Sequence, residues 1–343
     1  MIIYDGIIEK LQSGGGVSVV FREIISRMNN YIYICYDEDS KLSLPANQIT
    51  YKARLFERYR DVILNTEERG IGSVFHSTYY RLPNSSKIPV VTTVHDFTYE
   101  KFVKGPAKWL HSWQKKRAIK RSNIIICVSK NTAKDLVEYC SVDPKCIRVI
   151  YNGVSEAYYP LLDNNRENSN RVLFVGARGG YKNFGLAIDA VSSIENLELD
   201  IVGGGSLTTE ELKLLENKLP KRYRWLGRLS DEELNIAYNQ SYALLYPSSY
   251  EGFGIPVIEA MRAGCPVIAS NTSSIPEVAG DAAILVNSLS ADSLRDALTQ
   301  LTSRSCREQL ISDGFKQAEK FSWNRCFQET LAVYNELIKR NEK

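Results

Sequence analysis

The chain has 343 residues, 44% of them hydrophobic and 24% charged, with a formal net charge of +3. That composition belongs to a globular protein rather than a disordered or fibrous one, and so small a charge gives no reason to expect a nucleic-acid partner. No apolar run approaches the roughly 18–20 residues that cross a bilayer. Short β-branched runs predict strands at residues 2–4, 31–36, 74–77, 90–95, 124–128 and 147–150, with helical stretches at 16–28, 108–121 and 132–139 between them. Asp37-Glu38-Asp39 follows the second strand and reads as a solvated acidic loop. A polar stretch at 163–170 (DNNRENSN) cannot contribute to a core, and after it the pattern restarts. Strands are predicted at 171–175, 199–202, 243–246, 266–269 and 283–286, with helices at 186–193, 209–218, 232–239 and 256–262. From about residue 292 the chain is helical, ending in 324–340 with Phe327, Leu331, Tyr334 and Ile338 on one face.

Repeated alternation of strand and helix predicts an α/β fold of two Rossmann-like, doubly wound parallel-sheet domains. We place the first at residues 1–152, a linker region at 153–170, the second at 171–322 and a C-terminal helix at 323–343. That helix either caps the second domain or packs back on the first. Tandem sheets of this kind turn two sets of strand C-termini, their ligand-binding ends, toward one cleft. A dinucleotide fingerprint is missing: Gly14-Gly15-Gly16 and Gly203-Gly204-Gly205 both fail the GxGxxG spacing, and no GxxxxGK[ST] loop occurs. The seven cysteines form no C-x-x-C pair and do not cluster with the three histidines, so free thiols in a reducing cytosol are expected and a His-rich metal site is not. The N-terminus, with Asp5, Glu9 and Lys10, carries no apolar signal-peptide core.

Residues 246–270 carry the chemistry. A buried strand leads through Pro247-Ser248-Ser249-Tyr250 into Glu251-Gly252-Phe253-Gly254-Ile255-Pro256-Val257-Ile258-Glu259. Pro256 suits the first turn of a helix, and Gly264 suits its end. Glu251 then lies just ahead of the helix and Glu259 about one turn inside it. Gly252 and Gly254 let backbone N–H groups approach a ligand, and the helix terminus adds partial positive charge for a diphosphate. Two carboxylates beside it can accept hydrogen bonds from sugar hydroxyls.

PSSYEGFGIPVIEAMRAGCPVIAS resembles the signature of the GT-B-fold, family 4 glycosyltransferases, with its Glu-x7-Glu pair. Val175-Gly176-Ala177-Arg178-Gly179-Gly180-Tyr181-Lys182-Asn183-Phe184 is similar to that family's first strand, loop and helix of the second domain. Val94-His95-Asp96, Val128-Ser129-Lys130-Asn131-Thr132, the stretch Val149-Ile150-Tyr151-Asn152-Gly153-Val154, and Ser274-Ile275-Pro276-Glu277-Val278 match further landmarks. The landmarks cover residues 90–290 well and the first 90 poorly. The resemblance implies that Arg178 and Lys182 neutralise the donor diphosphate, Glu251 holds hydroxyls of the transferred sugar, and Glu259 holds the ribose. It implies that amides of Gly252, Phe253 and Gly254 line phosphate and sugar, that Gly15 and Gly16 form an N-terminal glycine loop at the donor, and that His95 hydrogen-bonds the donor sugar. The implied catalytic set is therefore His95, Arg178, Lys182 and Glu251. The implied reaction retains anomeric configuration and requires neither an enzymatic nucleophile nor a metal or other cofactor.

Between Lys101 and Arg121 lie eight Lys/Arg and no acid, interleaved with Trp109, Leu110 and Trp113. This basic, tryptophan-bearing helix suits an anionic membrane surface, with Lys108, Trp109, Trp113, Lys115, Lys116 and Arg117 facing it; His111 is expected on the surface of the same helix. The lysine loop resembles that of bacterial surface-polysaccharide mannosyltransferases. It implies hexose transfer from a nucleoside-diphosphate sugar, GDP-mannose first, to a glycan acceptor such as lipid-linked O-antigen, at the inner face of the cytoplasmic membrane. A UDP-hexose or GDP-fucose transferase, a GT-B sugar-nucleotide epimerase and a non-catalytic sugar-nucleotide-binding scaffold are the alternatives; the Glu-x7-Glu pair argues against the epimerase.

Overall fold

The computed structural model describes residues 1–12, 15–36, 48–65, 72–162 and 169–341. Asp37-Glu38-Asp39 and Gly14 lie outside the described residues. Two compact units emerge: Met1–Gly153 with Trp323–Lys343, and Val154–Ser322.

The first unit holds strands β1 (Ile2–Asp5), β2 (Tyr31–Tyr36), β3 (Gln48–Tyr51), β4 (Val74–Ser77), β5 (Val90–Val94), β6 (Ile124–Cys127) and β7 (Ile147–Val149). They form one sheet in the order β3-β2-β1-β4-β5-β6-β7, and every neighbouring pair is parallel. The second unit holds β8 (Arg171–Val175), β9 (Glu198–Val202), β10 (Tyr223–Gly227), β11 (Ala243–Tyr246), β12 (Val267–Ser270) and β13 (Ile284–Val286). Their order is β10-β9-β8-β11-β12-β13, again parallel throughout. Both sheets are doubly wound, and each reverses direction beside its first strand, between β1 and β4 and between β8 and β11. Such a reversal opens a crevice at the strand C-termini, where this class of sheet binds ligands.

Sequence patterning missed two strands, β3 and β10. Both are sheet edges with partly exposed faces, so neither shows the continuous apolar run that a strand buried on both faces requires.

The C-terminal helix, Trp323–Asn341, belongs to the first unit. Its Phe327, Val333, Tyr334 and Leu337 join Tyr4, Phe21, Ile24 and Tyr33 in one core. A buried hydrogen-bond chain fastens it: the Tyr334 hydroxyl lies 2.9 Å from that of Tyr4 and 2.5 Å from His76 Nδ1, while His76 Nε2 lies 2.8 Å from Thr93 Oγ1. Burial drives the His76 pKa down to about 3, so the ring is neutral.

Residues 154–162, expected as part of a linker, are bonded to the second unit. The Tyr159 and Leu161 N–H groups donate to the side-chain oxygens of Asn235 (3.1 Å) and Asn239 (2.8 Å), and Tyr158 meets Tyr238 edge-on at 5.8 Å.

Candidate nucleotide-sugar site

In the second unit, the loops leaving β8 and β11 meet at the crevice and are laced together. Asn183, in the left-handed region at φ 54°, follows the short turn Gly180–Lys182. Its amide donates to Pro247 O (2.8 Å) and Ser249 Oγ (2.9 Å), and the Ser249 N–H donates to Tyr181 O at 2.7 Å. The loops are thereby held at one spacing, and Lys182 reaches across: its Nζ is 2.5 Å from Glu251 Oε1 and 3.4 Å from the Tyr246 hydroxyl. Behind Glu251, its own N–H donates to Ser273 Oγ (2.9 Å), while Ser274 Oγ donates to the carbonyls of Glu251 (2.9 Å) and Phe253 (3.0 Å). Ser273 and Ser274 are thus the buttress of this loop.

Gly254 stands at φ 97°, a conformation that side chains other than glycine's strain to adopt, and it caps the helix Ile255–Arg262 with Pro256 in the first turn. Phe253 is buried, its ring edge-on to Phe321 at 5.7 Å, so only its backbone is available to a ligand. Within the helix, Glu259 Oε2 accepts from the Tyr238 hydroxyl at 3.0 Å. Burial lifts the Glu259 pKa to about 7, against the lowering effect of the Tyr238 and Tyr158 hydroxyls. Its charge is therefore poised near neutral pH.

Arg178 lies in the loop after β8, as expected, and its guanidinium is engaged there by the loop after β9. Its Nε donates to Glu211 (2.9 Å), Nη1 to Gly203 O (2.7 Å), and Nη2 to Gly205 O (3.1 Å) and Ser206 O (2.8 Å). Four of these bonds engage a fork of five N–H groups, and the side chain is only 3% exposed. Arg178 braces the loop after β9, and Glu211, which also closes the capping box with Thr208, anchors it. Sequence pattern offered a signal for Glu211 in the Thr208-x-x-Glu211 box; it offered none for Tyr238 or Tyr158, whose relation to Glu259 is purely tertiary.

In the first unit, His95 follows β5. Its Nε2 is buried and makes no hydrogen bond among the described residues. Its pKa is lowered to about 4 by burial, with Lys115 adding to the fall and Asp96 opposing it, so the ring is a neutral imidazole. Gly15 and Gly16 head the helix Gly16–Ile25 as its N-cap and first residue.

The basic helix Pro106–Arg121 corrects the expected membrane-facing set. His111, Gln114, Lys115, Ala118 and Ile119 form its buried stripe, spaced three and four residues apart as one helix face requires. Lys115 is fully buried: its ammonium donates to Glu100 Oε2 (2.9 Å) and to Asp96 O (2.8 Å). His111, expected at the surface, is buried and stacked on Tyr99 at 3.9 Å. Arg117 is half-buried and held bidentately by Asp61 at 2.7 and 2.6 Å. Trp109, Trp113, Lys116 and Lys120 remain on the outward stripe.

Two doubly wound parallel sheets, with a glycine-bearing loop and a Lys–Glu pair at the second crevice, define a GT-B-type fold. The description "Glycosyl transferases group 1" matches residues 163–317, and "Glycosyltransferase Family 4" matches residues 47–158. The chain belongs to the family 4, group 1 glycosyltransferases. It is 41% identical over 112 residues to the O-antigen chain mannosyltransferase B of Escherichia coli, a match spanning 32% of this chain and 29% of that protein. It is 28% identical to an uncharacterized glycosyltransferase of Methanocaldococcus jannaschii, covering 94% of this chain and 95% of the other. The sucrose-phosphate synthase structure from Thermosynechococcus elongatus superposes with a TM-score of 0.80 over 99% of both chains at 17% identity, a likeness of fold.

Proposed function

We propose that this protein transfers a hexose from a nucleoside-diphosphate sugar, GDP-mannose first, to a hydroxyl of a glycan acceptor, with retention at the anomeric carbon and no metal requirement. The acceptor we assign is a lipid-linked O-antigen or other surface polysaccharide at the inner face of the cytoplasmic membrane. The observation that carries the reading is the Lys182–Glu251 pair at the β8–β11 crevice, flanked by the Gly252–Gly254 amides and Glu259. Lys182 supplies the positive charge on which a departing diphosphate depends, the work a divalent cation does elsewhere. Glu251 accepts hydrogen bonds from hydroxyls of the transferred hexose, and Glu259 from the ribose diol. Arg178 keeps the Gly203–Ser206 loop in place and has about one N–H left for phosphate. His95, neutral, hydrogen-bonds the sugar. Mannose is favoured by the 41% identical segment shared with the O-antigen mannosyltransferase.

The test is incubation of the full chain with GDP- and UDP-sugars and a lipid-diphosphate acceptor, with and without EDTA, and NMR of the product. We expect transfer from one donor, unchanged by EDTA, with the donor's anomeric configuration kept. Absence of binding to every nucleotide sugar overturns the reading; inversion or EDTA inhibition overturns the corresponding part of it.

A further inference from the structure

We infer that Tyr158 and Asp231 are positioning residues for Glu259: the segment by which the chain enters the second unit lays one hydroxyl beside two carboxylates, and their competition for its hydrogen governs how firmly Glu259 holds a nucleotide. The inference deepens the assignment of Glu259 to the ribose and rests on it. Tyr158 comes soon after Val154, where the second unit begins, and is buried. Its backbone is pinned to two helices. Arg262 Nε, on the helix that carries Glu259, donates to Tyr158 O at 3.0 Å. The Tyr159 carbonyl accepts from Asn239 Nδ2 at 2.9 Å, and the Tyr159 and Leu161 amides donate to Asn235 and Asn239, all on the helix Asp231–Asn239. So held, the Tyr158 ring packs edge-on to Tyr238 at 5.8 Å, and its hydroxyl donates to Asp231 Oδ1 at 3.2 Å.

A phenol has one hydrogen to donate. Burial, with Glu259 and Asp231 adding to it, raises the Tyr158 pKa, so that hydrogen stays on the oxygen. Given to Asp231, it is withheld from Glu259, which keeps the Tyr238 hydroxyl at 3.0 Å. Around Glu259 stand Asp231 and Tyr238 from one helix, Tyr158 from the entering segment and Tyr246 from β11. No cation among the described residues pairs with it, since Lys182 is taken by Glu251. Burial and the Asp231 charge oppose ionisation of Glu259, and the Tyr238 and Tyr158 hydroxyls favour it. With no cation to dominate the balance, the placing of a single hydroxyl hydrogen tips it. Asp231 therefore acts twice on Glu259, by repulsion and by drawing the Tyr158 hydrogen away.

The experiment titrates Glu259 directly in the full chain without ligand, by the infrared carboxylic-acid band that Glu259→Gln removes, and then measures affinity for GDP and for UDP over the same pH range. Tyr158→Phe keeps the ring and removes the hydrogen; Asp231→Asn keeps the shape and removes the charge. We expect the first to move the Glu259 midpoint up by about one pH unit and the second to move it down by about as much. At pH 7 nucleotide affinity should follow the ionised fraction, falling about fivefold in Tyr158→Phe and rising about twofold in Asp231→Asn. A role in packing alone weakens both variants alike at every pH. Midpoints that stay in place, or that move in the same direction, overturn the inference. Midpoints that move in opposite directions while the affinity for both nucleotides ignores them overturn the ribose assignment instead, so the two failures are distinguishable.

Discussion

The ammonium of Lys182 stands 2.5 Å from a carboxylate oxygen of Glu251, so the cation meant for the diphosphate and the acid meant for the sugar are each other's partner across the crevice. Each holds the other in position between the loops that leave β8 and β11. Lys182→Ala and Glu251→Ala should each lower turnover about 10²-fold or more, since one removes charge stabilisation and the other positioning. Because either change also releases the remaining partner, the double variant should lose less than the product of the two. Steady-state rates of all three variants complete the cycle; strict multiplicativity would show that the pair is incidental.

Glu259 gives the donor site a pH dependence. Its pKa is raised to about 7 by burial, so the carboxyl is largely protonated at pH 6 and ionised at pH 8. In the role proposed for it, an ionised Glu259 would accept from both ribose hydroxyls, and the protonated form would accept less well. Nucleotide affinity should therefore rise from pH 6 to pH 8 in calorimetric titrations, and Glu259→Gln should flatten the rise. Tyr238→Phe removes the 3.0 Å hydrogen bond that favours the ionised form, and should move the midpoint to higher pH. The sign for stability is opposite: a group whose folded pKa lies above its unfolded one favours the folded state at low pH, and that contribution is lost as pH rises through 7.

Tyr334 closes the hydrogen-bond chain from the C-terminal helix to the first sheet. Tyr334→Phe leaves His76 Nδ1 and the Tyr4 hydroxyl short of a buried partner, at a cost of about 1–3 kcal/mol. Urea unfolding should show the loss, with nucleotide affinity little changed, since Lys182, Glu251 and Glu259, the residues proposed to hold the nucleotide, belong to the other unit.

What the sequence disclosed and what it hid divide along physical lines. Interior strands were legible because burial on both faces demands unbroken apolar runs, as in Ile124–Cys127 and Ala243–Tyr246; the edge strands Gln48–Tyr51 and Tyr223–Gly227 escaped because they face partly outward. Glu251, Gly254 and Glu259 were legible because the helix start between them has a local grammar of glycine and proline. Their supports were not: Tyr238, Ser273 and Ser274 act from other loops and helices, and nothing in their local sequence records the distance.

Lys115 is the sharpest test of that division, since composition put it on the outward face and helical phase put it inside. Lys115→Ala strands Glu100 in the interior, and should destabilise the first unit by about 3–5 kcal/mol. It also frees the carbonyl of Asp96, next to His95, so the surviving folded fraction should turn over more slowly. Lys116→Ala, one residue on and outward-facing, should change stability by no more than about 0.5 kcal/mol. Thermal melts of the two variants side by side decide between the faces.

Arg178 separates a brace from a phosphate ligand. Gly204 stands at φ 72°, and a Cβ there would lie 2.5 Å from Arg178 Nη1, so Gly204→Ala must displace the guanidinium while leaving every charge in place. Arg178→Lys keeps one positive charge but cannot bond Glu211 and three carbonyls at once. If bracing is the main role, both variants should weaken nucleotide binding to a similar degree, about tenfold, and both should lower the melting temperature. If the guanidinium acted chiefly on phosphate, Arg178→Lys would keep much of the affinity and lose little stability. Calorimetry with nucleoside diphosphate and a melt for each variant distinguish the two, and the four hydrogen bonds to Glu211, Gly203, Gly205 and Ser206 favour the first outcome.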